Sequence, residues 1–408
     1  MSSISRRAPW SAVASFVALV GCGSTAVDRA APGACVWTSS APQAVTTSDV
    51  DRVAQAVRVL DDRLWIGFQG TSPAADSTQV RLVQLADAAG APVGAAIHVL
   101  PAPGPFTNFS SLSLWTDPVR RLHAAAAWTE RLGCQAVLLD DDARPVSELV
   151  HLGDDNCAGV VRRPDGWSYL SRGLDNFFAR QDDVYPHFRA VGPRGEVLSE
   201  QQLAPDDGTS AAARHVYDDG SFVYVRAGVP GEANRIAVLV NDAQGRPTAP
   251  VSGLAPVHAG SLVQLLRMVP DDDTLLIAWI ELAPGAASSD LVIVRTSSTG
   301  APMGAPRVVA QVRVALGSHP ELGLAVSRGV PALLWAPFPS DHGGALHLAT
   351  LDPRTLAPAP TVDVATALYP SFLYLRDTSQ GFVAVFSAIA PPARTQVWTA
   401  AWRCVAPR

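Results

Sequence analysis

The sequence predicts an all-β chain folded as a closed ring of seven four-stranded antiparallel sheets. The first observation behind this is a series of polar, Gly- or Pro-containing bends. They fall at Asp87–Gly90, Asp140–Arg144, Gly192–Gly195, Asn241–Gly245, Ser297–Gly300 and Leu351–Thr355. Their spacing is about 50–56 residues, the range of stacked β-sheet repeats. The second is another bend series running in step, at Asp61-Asp62, Asp117-Pro118, Pro164–Gly166, Asp218–Gly220, Asp271–Asp273, Ser327–Gly329 and Thr378–Gly381. The third is the strand between each pair of bends. Leu275-Leu276-Ile277-Ala278-Trp279 and Ala332-Leu333-Leu334-Trp335 have no apolar/polar alternation. A strand loses its alternation when both faces are packed.

Residues 107–152 contain one complete unit. Phe109 to Trp115 reads as a first strand, turned by Asp117-Pro118 into Leu122 to Trp128. After Glu130–Gly133, Gln135 to Leu139 makes a third strand and Val146 to Leu152 a fourth. Four short strands joined by turns form one blade-like sheet. First strands recur near Val53, Phe109, Val160, Ala212, Leu262, Leu322 and Phe372. The fold class is therefore a seven-bladed β-propeller spanning residues 35–408, all-β. The last blade runs out of chain after its third strand, Trp398 to Cys404, and the segment from Cys35-Val36-Trp37 onward can supply the fourth. Closure by this N-terminal strand removes the last exposed edge. An aromatic often ends the second strand: Phe68, Trp128, Trp279, Trp335 and Phe386. These are expected to be inter-blade core.

Residues 1–21 read as an export leader. Arg6-Arg7 is followed by the apolar run Ala12 to Val20, too short to span a bilayer. The run ends in Leu19-Val20-Gly21-Cys22, which resembles the signal of bacterial lipoproteins, where small residues precede a cysteine. The resemblance implies cleavage before Cys22 and lipidation of Cys22, hence a membrane partner and a cell-envelope location. Two acyl chains give stable anchoring. Residues 22–34 then form a flexible tether. Gly23 stands where an inner-membrane retention signal often places Asp, so the same resemblance favours the outer membrane.

The four remaining cysteines, Cys35, Cys134, Cys157 and Cys404, are an even set in an oxidising compartment. Of three formal pairings, topology selects Cys35–Cys404 and Cys134–Cys157. Cys404 ends a third strand and Cys35 begins the strand beside it. Cys134 opens a third strand, and Cys157 lies where the chain enters the next blade.

Composition excludes several chemistries. The 31 basic residues are all arginine, against 37 acids. There is no lysine for a Schiff base or a phosphate loop. Net charge is −6, with no basic stripe, which argues against a nucleic-acid partner. No HExxH, CxxC, GxSxG or Walker pattern occurs, and no cofactor or metal is expected. The Asp140–Asp142 and Asp271–Asp273 runs sit at bends, where Asp bonds its own backbone. His342 and His347 flank Gly343-Gly344 without a ligand geometry.

Ends of second strands and entrances to first strands converge on one end of a propeller. That end is expected to carry Glu130, Arg172, Arg226 and Glu281, with Asp51, Asn108, Asp155, His258, His319 and Tyr369 near the entrances. A long loop, Gly173 to Tyr185, brings Phe177, Phe178, Arg180, Asp182 and Asp183 there. Aromatics beside charges mark a binding patch. The reading favours a lipid-anchored binding or scaffold module for a protein, peptide or glycan over an enzyme. The rival is an anchored hydrolase or lyase using Glu130 and Glu281, since fold alone does not decide function.

Overall fold

The computed structural model describes residues 35–46, 52–71, 79–100, 110–117, 121–129, 132–172, 187–203, 209–217, 219–228, 236–312, 321–336, 344–366, 370–390 and 394–405. The leader, Cys22 and the tether lie outside the described residues. The described chain is all strand and turn, arranged as a seven-bladed β-propeller.

The short closing strands are β1 (Val36–Ser39) and β2 (Gln43–Ala44). Blade 1 holds β3 (Arg52–Leu60), β4 (Arg63–Thr71), β5 (Gln79–Ala86) and β6 (Pro92–Leu100). Blade 2 holds β7 (Ser110–Asp117), β8 (Leu122–Thr129), β9 (Gly133–Leu139) and β10 (Val150–Gly153). Blade 3 holds β11 (Asn156–Arg163), β12 (Gly166–Arg172), β13 (His187–Val191) and β14 (Val197–Gln202). Blade 4 holds β15 (Thr209–Val216), β16 (Phe222–Gly228), β17 (Ile236–Asn241) and β18 (Ser252–Leu254). Blade 5 holds β19 (Leu262–Asp271), β20 (Thr274–Leu282), β21 (Ser289–Ser297) and β22 (Arg307–Val312). Blade 6 holds β23 (Glu321–Ser327), β24 (Val330–Ala336), β25 (Gly344–Thr350) and β26 (Val362–Thr366). Blade 7 holds β27 (Pro370–Thr378), β28 (Gly381–Ala390) and β29 (Arg394–Val405).

Each blade is an antiparallel meander in chain order. First strands touch first strands of both neighbouring blades all the way round, β3 through β27 and back to β3, so they form the inner wall. Blade 7 is completed by β1, with Val36 opposite Val405 and Ser39 opposite Trp402. β2 adds a second short pairing, Gln43 opposite Thr399. Two disulfides match the expected pairs: Cys35–Cys404 locks the closing seam, and Cys134–Cys157 joins blade 2 to blade 3.

The turns form as their residues dictate. Asp87 and Asp242 accept backbone N–H bonds from the turn that follows each of them, and Gly90 and Gly245 take the left-handed corner at φ 86 and 80°. The core lies in the seams between blades. Phe68, Trp128, Trp279 and Phe386 are essentially sealed from solvent and Trp335 nearly so, each inside a cluster that draws on two adjacent blades. Burying each such side chain contributes roughly 2–3 kcal/mol of apolar transfer. Five inner strands carry a bulge close to their starts, between Ala54 and Ala56, Ala158 and Val161, Thr209 and Ala211, Val263 and Leu265, and Ser371 and Tyr374. Bulges there twist the inner wall at one mouth of the ring and re-aim side chains.

Candidate functional site

The β-hairpin turns between first and second strands, and between third and fourth, gather at one end of the ring. The second-to-third and blade-to-blade connections gather at the other, the end on which the sequence places its candidates. Glu281, at the end of β20, is fully buried there rather than presented to solvent. Its Oε2 accepts from Trp279 Nε1 at 2.6 Å and from the Val257 N–H at 3.1 Å. Its Oε1 accepts from the His258 N–H at 3.0 Å. Ser261 Oγ lies 3.5 Å away. The carboxylate ties the connection between blades 4 and 5 down onto the second strand. A sealed acid bonded to three N–H groups holds a loop and has no free lone pair facing a ligand.

Arg226 lies inside β16, two residues short of its end. It is half-buried, and its Nε is enclosed without a hydrogen-bond partner among the described residues. Arg172 closes β12, paired with Asn156 across the sheet. Glu130, Phe177, Phe178, Asp183 and His319 lie outside the described residues, as do Asp51, Asn108, Tyr369 and the loop from Gly173 to Tyr185. The structure therefore places Arg172, Arg226 and Glu281 on three different blades, with Glu281 turned inward.

Two charged groupings appear at this end. In blade 3, Arg189 reaches Glu200 across the β13–β14 pair at 3.0 Å and also binds Asp155. Burial works against the Arg189 charge, but Glu200 and Asp155 keep its pKa above the ordinary value. His187 Nδ1 lies 3.6 Å from Glu200, and Tyr169 Oη donates to the Leu152 carbonyl at 3.0 Å. Burial raises the Tyr169 pKa. In blade 5, the exposed His258 reaches Asp290 at 2.8 Å. Asp155 and His258 were legible as entrance residues; Arg189, Glu200 and Asp290 were not, because the cross-strand register brings them in.

Phe372 also escaped the sequence reading as a site residue. It sits in the bulge of β27, is 38 % exposed and has φ 51°. A bulky residue in the left-handed region is uncommon and costs on the order of 1–2 kcal/mol. Here it holds an aromatic ring out at the mouth of the ring.

At the opposite end, a cavity of about 220 Å³ lies between blades 1 and 2, lined by Leu60, Asp61, Arg63, Trp65, Arg121 and Asp141. Asp141 accepts from His123 Nε2 at 3.0 Å and from Arg121. The hydrogen bond from His123, with Arg121 beside it, holds Asp141 below the usual carboxylate range. The buried His123 ring packs 4.6 Å from Trp65, and its Nδ1 has no hydrogen-bond partner among the described residues.

The acidic runs behave as turn residues. Asp140 Oδ1 accepts from the Asp142 and Arg144 N–H groups, and Asp271 pairs with Arg295 at 2.7 Å. His342 lies outside the described residues, while His347 bonds Asp363 at 2.8 Å and stacks on Trp335. Among the described residues no three His, Cys, Asp or Glu side chains are grouped as metal ligands would be, and no helix is long and apolar enough to cross a membrane.

Several solved structures resemble this chain in fold. A puromycin-hydrolysing peptidase of Mycobacterium tuberculosis superposes with a TM-score of 0.50 at 15 % identity, over 86 % of this chain and 51 % of that one. This chain thus spans about half the length of that peptidase. The phage phi92 endosialidase gives 0.48 at 8 % identity, covering 90 % of this chain and 69 % of that one. The β-propeller domain of the Trilobed protease from Pyrococcus furiosus, described as an open velcro topology, gives 0.46 at 10 % identity, covering 87 % and 97 %. At these identities the likeness is one of fold. No protein-family model matches the chain, and no curated protein matches it.

Proposed function

We propose that this chain is an exported lipoprotein, anchored through Cys22, whose propeller is a rigid binding module for a protein, peptide or glycan. Phe372 carries the binding half of this reading: an aromatic ring kept half out of the surface at the cost of an unfavourable backbone. Exposed aromatics of this kind are favoured binding anchors, and backbone strain that a fold retains is a pointer to function. The burial of Glu281 weighs against a hydrolase built on that carboxylate. Support for export comes from the two disulfides, which persist in oxidising compartments. The cell envelope, with the outer membrane favoured, is the location that follows.

The anchor is tested by expressing the full chain in a bacterium that processes lipoproteins. Palmitate should label the wild type and not Cys22→Ala, and an unlabelled wild type would remove the anchor. The binding reading is tested by screening the detergent-solubilised chain on glycan and peptide arrays. A hit should weaken at least tenfold in Phe372→Ala with an unchanged melting profile. Turnover of a glycoside, ester or peptide substrate that survives Phe372→Ala would instead establish the enzyme.

A further inference from the structure

The cavity between blades 1 and 2 lies at the end of the ring away from Phe372, and the binding reading leaves it unused. Its wall is built largely by turns. The hairpin from β3 to β4 supplies Leu60, Asp61, Arg63 and Trp65. Arg121 comes from the turn into β8, and Asp141 from the turn after β9.

Backbone geometry and cross-blade bonds fix this wall. Asp61 and Asp62 take left-handed φ values of 46 and 61°, the geometry of a tight hairpin corner. Asp62 accepts from the Ser379 N–H at 2.7 Å and from the Ser379 hydroxyl, so the corner is tied to the β27–β28 turn of blade 7. Arg121 also has a left-handed φ, 51°, uncommon for a long side chain. Its guanidinium binds one oxygen of Asp141, and the buried His123 bonds the other at 3.0 Å. Asp141 is thus fixed from two sides.

Asp61 and Arg63 are placed differently. Both are exposed and both line the cavity, and among the described residues neither side chain makes a hydrogen bond or ion pair. They stand two residues apart without pairing with each other. The cavity therefore offers one uncommitted carboxylate and one uncommitted guanidinium. Its charged lining is Asp61, Asp141, Arg63 and Arg121, so the formal charges cancel. A lone anion entering would meet both acids, and a lone cation both arginines. A ligand that carries both signs finds a complement for each. Space limits its size. At about 30 Å³ per water, a cavity of about 220 Å³ holds the volume of about seven waters. Pockets for drug-sized ligands begin at roughly 300 Å³.

We propose that this cavity binds a free α-amino acid. The ligand carboxylate pairs with Arg63, its ammonium with Asp61, and its side chain lies against Leu60 and Trp65. A guanidinium fork matches a carboxylate in two parallel bonds, the strong, charge-assisted kind. The Arg121–Asp141 ion pair supplies the blade 2 side of the site. The inference is independent of the lipid anchor and of the Phe372 surface.

The test is calorimetric titration of the detergent-solubilised full chain with L-leucine and with L-phenylalanine, at ionic strength matched by sodium chloride. Saturable 1:1 binding of at least one of them is expected. The amide of that amino acid lacks the carboxylate, and its N-acetyl derivative lacks the ammonium. Each should bind at least tenfold more weakly than the parent. Arg63→Gln should abolish the preference over the amide, and Asp61→Asn the preference over the N-acetyl derivative, each by weakening the parent tenfold or more. Asparagine accepts a left-handed φ, so Asp61→Asn keeps the corner. A misfolded variant would lose every ligand alike, whereas these losses are selective. Where a variant fails to fold, the comparison of parent and analogues on the wild type decides the matter. No saturable binding of either amino acid, analogues that bind as tightly as the parent, or folded variants that keep the full preference would each overturn the proposal. Binding of glucose in place of the amino acids would overturn it too, and would mark a polyol site.

Discussion

Breaking the Cys35–Cys404 bond is expected to destabilise the protein more than breaking Cys134–Cys157. The two bonds span 369 and 23 residues of sequence. In the chain-entropy account a crosslink restricts the unfolded ensemble in proportion to the logarithm of its loop. That gives about 6 kcal/mol for the long loop, about 3.5 for the short one, and a gap of about 2.5 kcal/mol. The long bond also pins β1, whose Trp37 packs 5.0 Å from Phe382. A competing contribution narrows the gap: Cys134 and Cys157 are fully buried, so removing their sulfurs leaves voids costing about 1 kcal/mol, whereas Cys35 and Cys404 are half-exposed. A net difference of about 1.5 kcal/mol is expected. Guanidinium unfolding followed by tryptophan fluorescence, on the two double-alanine variants at matched pH, measures it directly. Equal costs, or a larger cost for the Cys134–Cys157 pair, would refute the idea that the long bond acts by closing the ring.

Other consequences are as concrete. Glu281→Ala strands the Trp279 and His258 N–H donors in a sealed site, and a loss of about 2–4 kcal/mol in denaturant unfolding is expected; a loss under 1 kcal/mol would argue against the loop-tying role. Stability should fall as pH drops from about 6.5 to about 4. In that window the unfolded His215 takes up a proton that the folded one resists, so the contribution is complete above the unfolded pKa. Removing His215 (His215→Phe) should flatten that slope in thermal melts, and an unchanged slope would assign it elsewhere. Phe372→Ala should cost under 1 kcal/mol, because the ring is already 38 % exposed and alanine keeps the same left-handed φ. Phe382→Ala, at a fully buried site, should cost about 3–5 kcal/mol by the same unfolding assay. Gly323→Ala should cost about 1–3 kcal/mol, because its Cβ would meet Leu375 at Cβ (2.8 Å) and at the backbone (3.1 Å), atoms that cannot swing away.

The repeat, the blade count, the strand order and the ring closure were legible in the sequence, because local signals specify them. Asp and Gly set the corners, as at Asp87–Gly90, and unbroken apolar strands such as Leu275–Trp279 declare a sheet packed on both faces. Even the disulfides followed from topology, since each joins residues that the strand order alone makes neighbours. The candidate sites were not legible in the same way. A glutamate at a strand end looks the same in sequence whether it faces water or, like Glu281, disappears under a loop; only the path of residues 255–261 decided it. Phe372 read as the start of a strand, and its outward aim arises from a bulge that depends on the pairing with β28. Arg58, Arg267 and Arg376 are scattered across more than 300 residues of sequence. Each nevertheless donates to a carbonyl on the first strand of the next blade, a contact created by the closure of seven blades around one axis that no local pattern encodes.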